Sequence, residues 1–345
     1  MAVSARVGWA LVGTGAIARS RVAPAIASHR GSRIVAVVSS SAARAAELAA
    51  ATSARACTAL AEALDDGAVD AVYVGTTNDL HAEQAIACLR AGRHVLCEKP
   101  LALTLADADA MLAAAAAAGR TLAVNHHLRA AESLGRMRSL LAAGAVGAPL
   151  LVRSLHRCHV RPERRGGWRM TDASRGAGAI LDLTVHTADA VRFVCGRDVT
   201  SVCGCAAEAG FGQDGIEGAV AGSMRLDGDL LASFADAYSA LPALSVVEVH
   251  GEDGCLRGRG VLDGGSRATI ELHNGRAAEG NPPRSSLRAV EIRDDPYVRT
   301  VERFAAAVRG AGEPAATGVD GRRSLAVALA LRAAVAGRLD CAPVE

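Results

Sequence analysis

Two textures of hydrophobic patterning divide the chain near residue 125. Before that point, short apolar runs (Val7–Val12, 34–38, 70–75, 94–97 and 121–124) alternate with amphipathic or Ala-rich stretches. Continuous apolar runs of this length suit parallel strands buried on both faces, and the stretches between them carry helical spacing. Helices are expected at 82–90 and, opened by Thr104 with Asp107 three residues on, at 105–118. Five strands alternating with helices predict a doubly wound nucleotide-binding domain over 1–125. A helix over 129–142 leads to Gly144 and Gly147-Ala148-Pro149. Thereafter the pattern becomes strand-like at 150–158, 200–206, 216–226, 230–238, 245–250 and 267–273, with Asp-Gly, Gly-Asp and Gly-Gly turns. An Arg-rich loop and a helix over 179–194 interrupt these strands. Residues 276–294 read as a mobile polar loop, and helices near 297–309 and 322–337 follow. The expected fold is α/β: an N-terminal Rossmann domain with a parallel sheet, then a C-terminal α+β domain over 126–345 with an open, mostly antiparallel sheet.

Composition narrows the function classes. The net charge is +2 with acids and bases interspersed, so neither nucleic acid nor an anionic membrane is an expected partner. No apolar run approaches a membrane span, and the first residues lead straight into a strand with no room for a signal peptide. Nine scattered cysteines without a Cys-x-x-Cys pair fit a reduced, cytoplasmic compartment.

The first apolar run enters Gly13-Thr14-Gly15-Ala16-Ile17-Ala18, a dinucleotide fingerprint with Ala in its third small position. The first Gly allows the tight turn and the second lets backbone amides approach a pyrophosphate at the helix N-terminus. After the second strand, Ser39-Ser40-Ser41 replace the acid with which NAD enzymes grip a ribose, and Arg44 follows closely. Hydroxyls beside an arginine favour the 2′-phosphate of NADP(H). Ser39 to Ser41 also suit a simple helix cap. The polar stretch Thr76-Thr77-Asn78-Asp79-Leu80-His81 lies at another strand's carboxyl end, where ribose and nicotinamide belong.

Lys+Arg total 38, yet Lys99 is the only lysine. Arginine is a rigid fork that stays charged, whereas lysine is a compact donor suited to polarising a carbonyl. Lys99 sits in Glu98-Lys99-Pro100 at the end of an apolar strand, and Pro100 turns the chain away, with a cis bond one option. A further strand ends in Asn125-His126-His127, and the later helix carries Asp182 and His186 four residues apart on one face. His186 can serve as a proton donor oriented by Asp182, or the two can form an ordinary core pair. A zinc set of His126, His127, Asp182 and His186 is possible in ligand type but not demanded by spacing.

Together the glycine turn, Glu98-Lys99-Pro100, Asn125-His126-His127 and Asp182-Leu183-Thr184-Val185-His186 resemble the glucose–fructose oxidoreductase/inositol dehydrogenase family, in the same order along nearly the whole chain. The resemblance implies NADPH-dependent reduction of a cyclic keto-sugar, with Lys99 and His186 flanking the reacting carbonyl and Asp182 beside His186. It implies that Ser39 and Arg44 hold the 2′-phosphate, and that Asn125, Trp168, Arg169 and Tyr297 line the substrate or nicotinamide side. Ser40 departs from it, standing where many relatives carry Arg, and Gly15 occupies a position that varies. The remaining alternatives are an inositol or aldose dehydrogenase using NAD(P) and a silent NADP-sensing regulator. A monomer or a homodimer paired through the second sheet is expected.

Overall fold

In the computed structural model, residues 6–239, 241, 242, 244–264, 267–274, 286–337 and 342–345 are described. They form two compact units, Met1–His127 with Tyr297–Arg322, and Leu128–Pro296 with Arg323–Glu345. A single cut at 125/126 therefore leaves out a returning segment. The cause is an amphipathic helix near the end of the chain, which lays Val301, Phe304, Ala305 and Val308 into the core around the first strand. The rings of Trp9 and Phe304 lie 5.2 Å apart between centroids. Burying one such aromatic contributes about 1.5–3 kcal/mol. Nothing in the periodicity of a late helix says that an early sheet is its partner.

In the first unit six strands are ordered β3-β2-β1-β4-β5-β6 and every pairing is parallel. They are β1 Val7–Val12, β2 Ser32–Val38, β3 Arg55–Cys57, β4 Ala71–Val74, β5 His94–Cys97 and β6 Leu122–Val124. The strand not anticipated is β3, an edge strand of three residues too short and too exposed for an apolar run to announce it. Strand order reverses between β1 and β4, where the carboxyl ends of an open sheet leave a ligand crevice.

The second unit is built on a nine-stranded sheet ordered β14-β13-β12-β11-β7-β10-β9-β8-β15. Its strands are β7 Pro149–His159, β8 Val199–Ala207, β9 Ala219–Leu226, β10 Leu230–Ser239, β11 Val246–Gly251, β12 Gly254–Arg259, β13 Arg267–Asn274, β14 Ser286–Arg293 and β15 Ala342–Pro343. Only β7 and β10 pair in parallel; the other pairings are antiparallel. The expected polar loop over 276–294 is in part strand β14, paired residue for residue with β13; 275–285 lie outside the described residues. The polar look of that stretch comes from cross-strand charge pairing, as between Arg267 and Glu291.

One face of this sheet carries the helices Glu132–Ala142 and Val185–Cys195. Leu230, Ala232, Phe234, Asp236 and Tyr238 alternate onto the buried side of β10. Elsewhere in the sheet, Glu248 stands between Arg153 and Arg257 on neighbouring strands, and Arg257 also reaches Glu271. No helix among the described residues is long and apolar enough to cross a membrane.

Candidate active site

The glycine turn is dictated by backbone sterics. Gly13 has φ +99°, and a Cβ there would lie 2.5 Å from the Gly75 carbonyl oxygen, so only glycine fits. Its N–H donates to the Val38 carbonyl at 2.9 Å, while the Gly75 N–H donates to Val12 at 2.8 Å. The ends of β1, β2 and β4 are thereby tied together. Gly15 and Ala16 are exposed, and the helix starts at Ala16. First-turn amides have no acceptor within their own helix and favour an anion, so this cradle fits the pyrophosphate of a dinucleotide.

The second strand ends in hydroxyls with separate tasks. Ser39 is buried; its oxygen accepts from the Thr14 hydroxyl and from the Ser41 N–H, each at 3.3 Å. Ser41 caps the helix Ala42–Thr52 by accepting from the Arg44 N–H at 3.4 Å. Ser40 and the Arg44 side chain are exposed at the same strand end. Sequence reasoning missed Arg19, which donates to the Thr14 carbonyl at 3.0 Å and pairs with Glu47, joining the glycine turn to the next helix.

In the loop after β4, Thr76 donates to Gln84 at 2.8 Å, Thr77 is half-buried, Asn78 is buried and Leu80 is exposed. His81 has no exposed surface, and its Nδ1 lies 2.9 Å from the Pro100 carbonyl. Its ring therefore braces the turn after Lys99. The Lys99–Pro100 bond is cis.

Glu98 gathers donors from three strand ends. Its carboxylate accepts from the Tyr73 hydroxyl at 2.9 Å, the Asn125 amide at 2.6 Å and the Lys99 backbone N–H at 3.4 Å. Burial, with Glu98 beside it, holds the Tyr73 hydroxyl well above its ordinary pKa, so it remains a donor. His127 stacks on Tyr297 at 4.2 Å, and Arg21 lies over that ring as well. Burial first, and then the Lys99 ammonium and His126, push the His127 pKa down to about 3. Tyr297, expected at the substrate or nicotinamide side, is only 6% exposed and packs in the hydrophobic core.

The second unit holds Asp182 and His186, the pair expected to transfer the proton. Glu217 positions their helix: its carboxylate accepts from the Ile180 N–H at 3.0 Å and its carbonyl from the Ala179 N–H at 2.9 Å. The helix opens as a wide turn, Ile180–Thr184, and continues as Val185–Cys195. Asp182 accepts from the Tyr238 hydroxyl at 3.1 Å and lies 3.6 Å from the Arg169 guanidinium. Arg169 in turn covers the Trp168 ring at 4.4 Å. His186 is buried, its ring edge-on to that of His156 with centroids 6.2 Å apart. Trp168, Arg169, Asp182 and His186 are thus gathered in one unit, while Lys99, Glu98, Asn125 and Tyr297 are gathered in the other. Among the described residues no group of three His, Cys, Asp or Glu side chains is arranged to hold a metal ion.

Residues 7–126 match the family described as "Oxidoreductase family, NAD-binding Rossmann fold", and residues 134–257 match the "GFO/IDH/MocA C-terminal domain". A 1,5-anhydro-D-fructose reductase of Ensifer adhaerens is 41% identical over 335 residues, covering 96% of this chain and 97% of that protein. The chain belongs to the Gfo/Idh/MocA family of oxidoreductases. Two solved structures show the same fold. The aldose-aldose oxidoreductase of Caulobacter crescentus, complexed with glycerol, superposes with a TM-score of 0.85 at 23% identity, over 98% of this chain and 99% of that one. KijD10, a 3-ketoreductase from Actinomadura kijaniata in complex with NADP and TDP-benzene, gives 0.82 at 22% identity, over 95% and 98%.

Of the supporting tyrosines only Tyr297 was expected as a site residue from the sequence, yet one signal marked all of them. The chain has three tyrosines. Two of them, Tyr73 and Tyr238, hold the carboxylates of Glu98 and Asp182, and the third stacks on His127.

Proposed function

We propose that this oxidoreductase uses NADPH to reduce a cyclic keto-sugar, 1,5-anhydro-D-fructose, to 1,5-anhydro-D-mannitol. The observation that carries the reading is the likeness to the Ensifer adhaerens reductase, 41% identical along 96% of the chain and 97% of that protein. The glycine cradle takes the pyrophosphate, and Ser39, Ser40 and Arg44 take the 2′-phosphate. Bound NADPH supplies the hydride.

The remaining work falls to the chain's own side chains. A ketone that accepts hydride develops negative charge on oxygen, which needs a donor already in place and one proton. Lys99 polarises that oxygen from a turn fixed by Glu98, Tyr73 and Asn125. His186 delivers the proton, and Asp182, held by Tyr238 and Arg169, orients the imidazole. Trp168 and Arg169 offer an aromatic face and a forked donor to the sugar hydroxyls.

Purified protein should oxidise NADPH on addition of 1,5-anhydro-D-fructose and give the mannitol configuration, with far weaker turnover from NADH. Absence of ketose-dependent NADPH oxidation, alongside turnover of myo-inositol or an aldose with NAD(P)+, overturns the reading.

A further inference from the structure

Behind His186 lies a polar cluster that the proposed reaction has not yet used. Asp236 on β10 is completely buried. Its Oδ1 accepts a hydrogen bond of 2.8 Å from the hydroxyl of Thr187, the residue after His186. On the neighbouring parallel strand β7, His156 stands opposite Asp236 in register. His156 is buried too, and its ring meets His186 edge-on. Strand alternation explains the gathering, since Ser154, His156, Phe234, Asp236 and Tyr238 are all inward positions. The adjoining strand β9 presents only Val220 to Asp236. An acid in such a place is costly to desolvate, and an apolar side chain would fill it without that penalty. Packing alone does not ask for a carboxyl here.

We propose that Asp236 and His156 are positioning residues: both hold the His186 imidazole in place, and Asp236, when ionised, favours its protonated form. The proposal deepens the reading above and rests on His186 being the proton donor. Burial raises the Asp236 carboxyl to about 7, while the Thr184 and Thr187 hydroxyls favour its ionised form. Its charge therefore changes within the range where imidazoles titrate. The other groups that bear on the cluster are Asp182 with Tyr238 and Arg169, and Asp189 farther along the helix, which is held by Arg129. When ionised, Asp236 favours imidazolium at His186; removing that charge lowers its pKa.

The test is Asp236→Asn, which keeps an acceptor for Thr187 and removes the charge. In the reduction direction the alkaline limb of the kcat profile should move down by about one pH unit, with KM and NADPH affinity unchanged. A readout that needs no substrate is the NMR titration of the imidazoles, with His186 identified by the signal lost in His186→Gln. That pKa should fall by about one unit in Asp236→Asn. A folded Asp236→Asn protein with an unmoved His186 titration overturns the proposal. Should Asp236→Asn fail to fold, Thr187→Val is expected to shift the His186 titration and Thr187→Ser to leave it alone; equal, unshifted titrations overturn the proposal as well. If the unaltered protein reduces no ketose, the proposed function fails, and the titration still decides what Asp236 does.

Discussion

The two fingerprint glycines make opposite demands, and replacing each by alanine separates folding from cofactor binding. Gly13→Ala places a side chain at φ +99° with its Cβ 2.5 Å from the Gly75 carbonyl oxygen. The left-handed backbone costs an L-residue about 1–2 kcal/mol, and overpacking against a main-chain atom that cannot swing away adds about 1–3 kcal/mol. The sum, about 2–5 kcal/mol, lowers the melting temperature of a domain this size by about 4–20 °C. If the turn relaxes instead, the loss appears in NADPH affinity, at about tenfold for each 1.4 kcal/mol. Gly15→Ala meets no such obstacle, because the nearest atom to its Cβ is 3.8 Å away and its φ is not in the left-handed range. Its stability without cofactor should stay within about 0.5 kcal/mol. NADPH affinity should nonetheless fall at least tenfold, because the new methyl stands where the pyrophosphate must approach the backbone. Urea or thermal unfolding of the cofactor-free proteins, with NADPH fluorescence titration, gives both numbers. A Gly13→Ala protein with unaltered melting and NADPH affinity would refute the steric argument, and so would equal destabilisation by Gly15→Ala.

Other predictions follow from the site. Lys99→Ala should lower kcat by about 10²–10⁴-fold with NADPH affinity nearly unchanged, and Lys99→Arg should restore little, because a planar fork does not replace a compact ammonium; normal turnover in either variant counts against the polarising role. Arg44→Ala should weaken NADPH about tenfold and leave NADH unaffected, as compared by the two dissociation constants. His127 has a folded pKa of about 3 against about 6.5 when unfolded, so the unfolded chain binds the extra proton between those values. The stability held by neutral His127 is complete above about pH 6.5 and is lost as the pH falls toward 3. His127→Phe keeps a ring against Tyr297 and should flatten the fall in urea midpoint between about pH 6 and 4; an unchanged slope would assign acid sensitivity elsewhere, for instance to His94, whose pKa burial lowers to about 4.

Local chemistry made much of the molecule legible in the chain itself. Val7–Val12 has to be a buried strand, because a continuous apolar run is stable only with both faces covered. Gly13 has to be glycine, because a tight turn at positive φ leaves no room for a Cβ. A solitary lysine among arginines pointed to a compact cation, and Asp182 and His186, four residues apart, had to share a face. Each of these is decided within a few residues of chain, which is the range over which sterics, periodicity and charge type act.

Only tertiary structure decided which residues support those groups. Tyr73 reaches Glu98 across 25 positions, Tyr238 reaches Asp182 across 56, and Thr187 reaches Asp236 across 49. The late helix bearing Phe304 joins the sheet of Trp9, and the polar stretch 286–293 becomes a strand because a partner satisfies its backbone and charges. Strand order and register set such meetings, and they emerge only when distant segments pair, so no local pattern encodes them. The candidate site residues were written in the sequence as residue types; the neighbours that support them are set only once the sheets have closed.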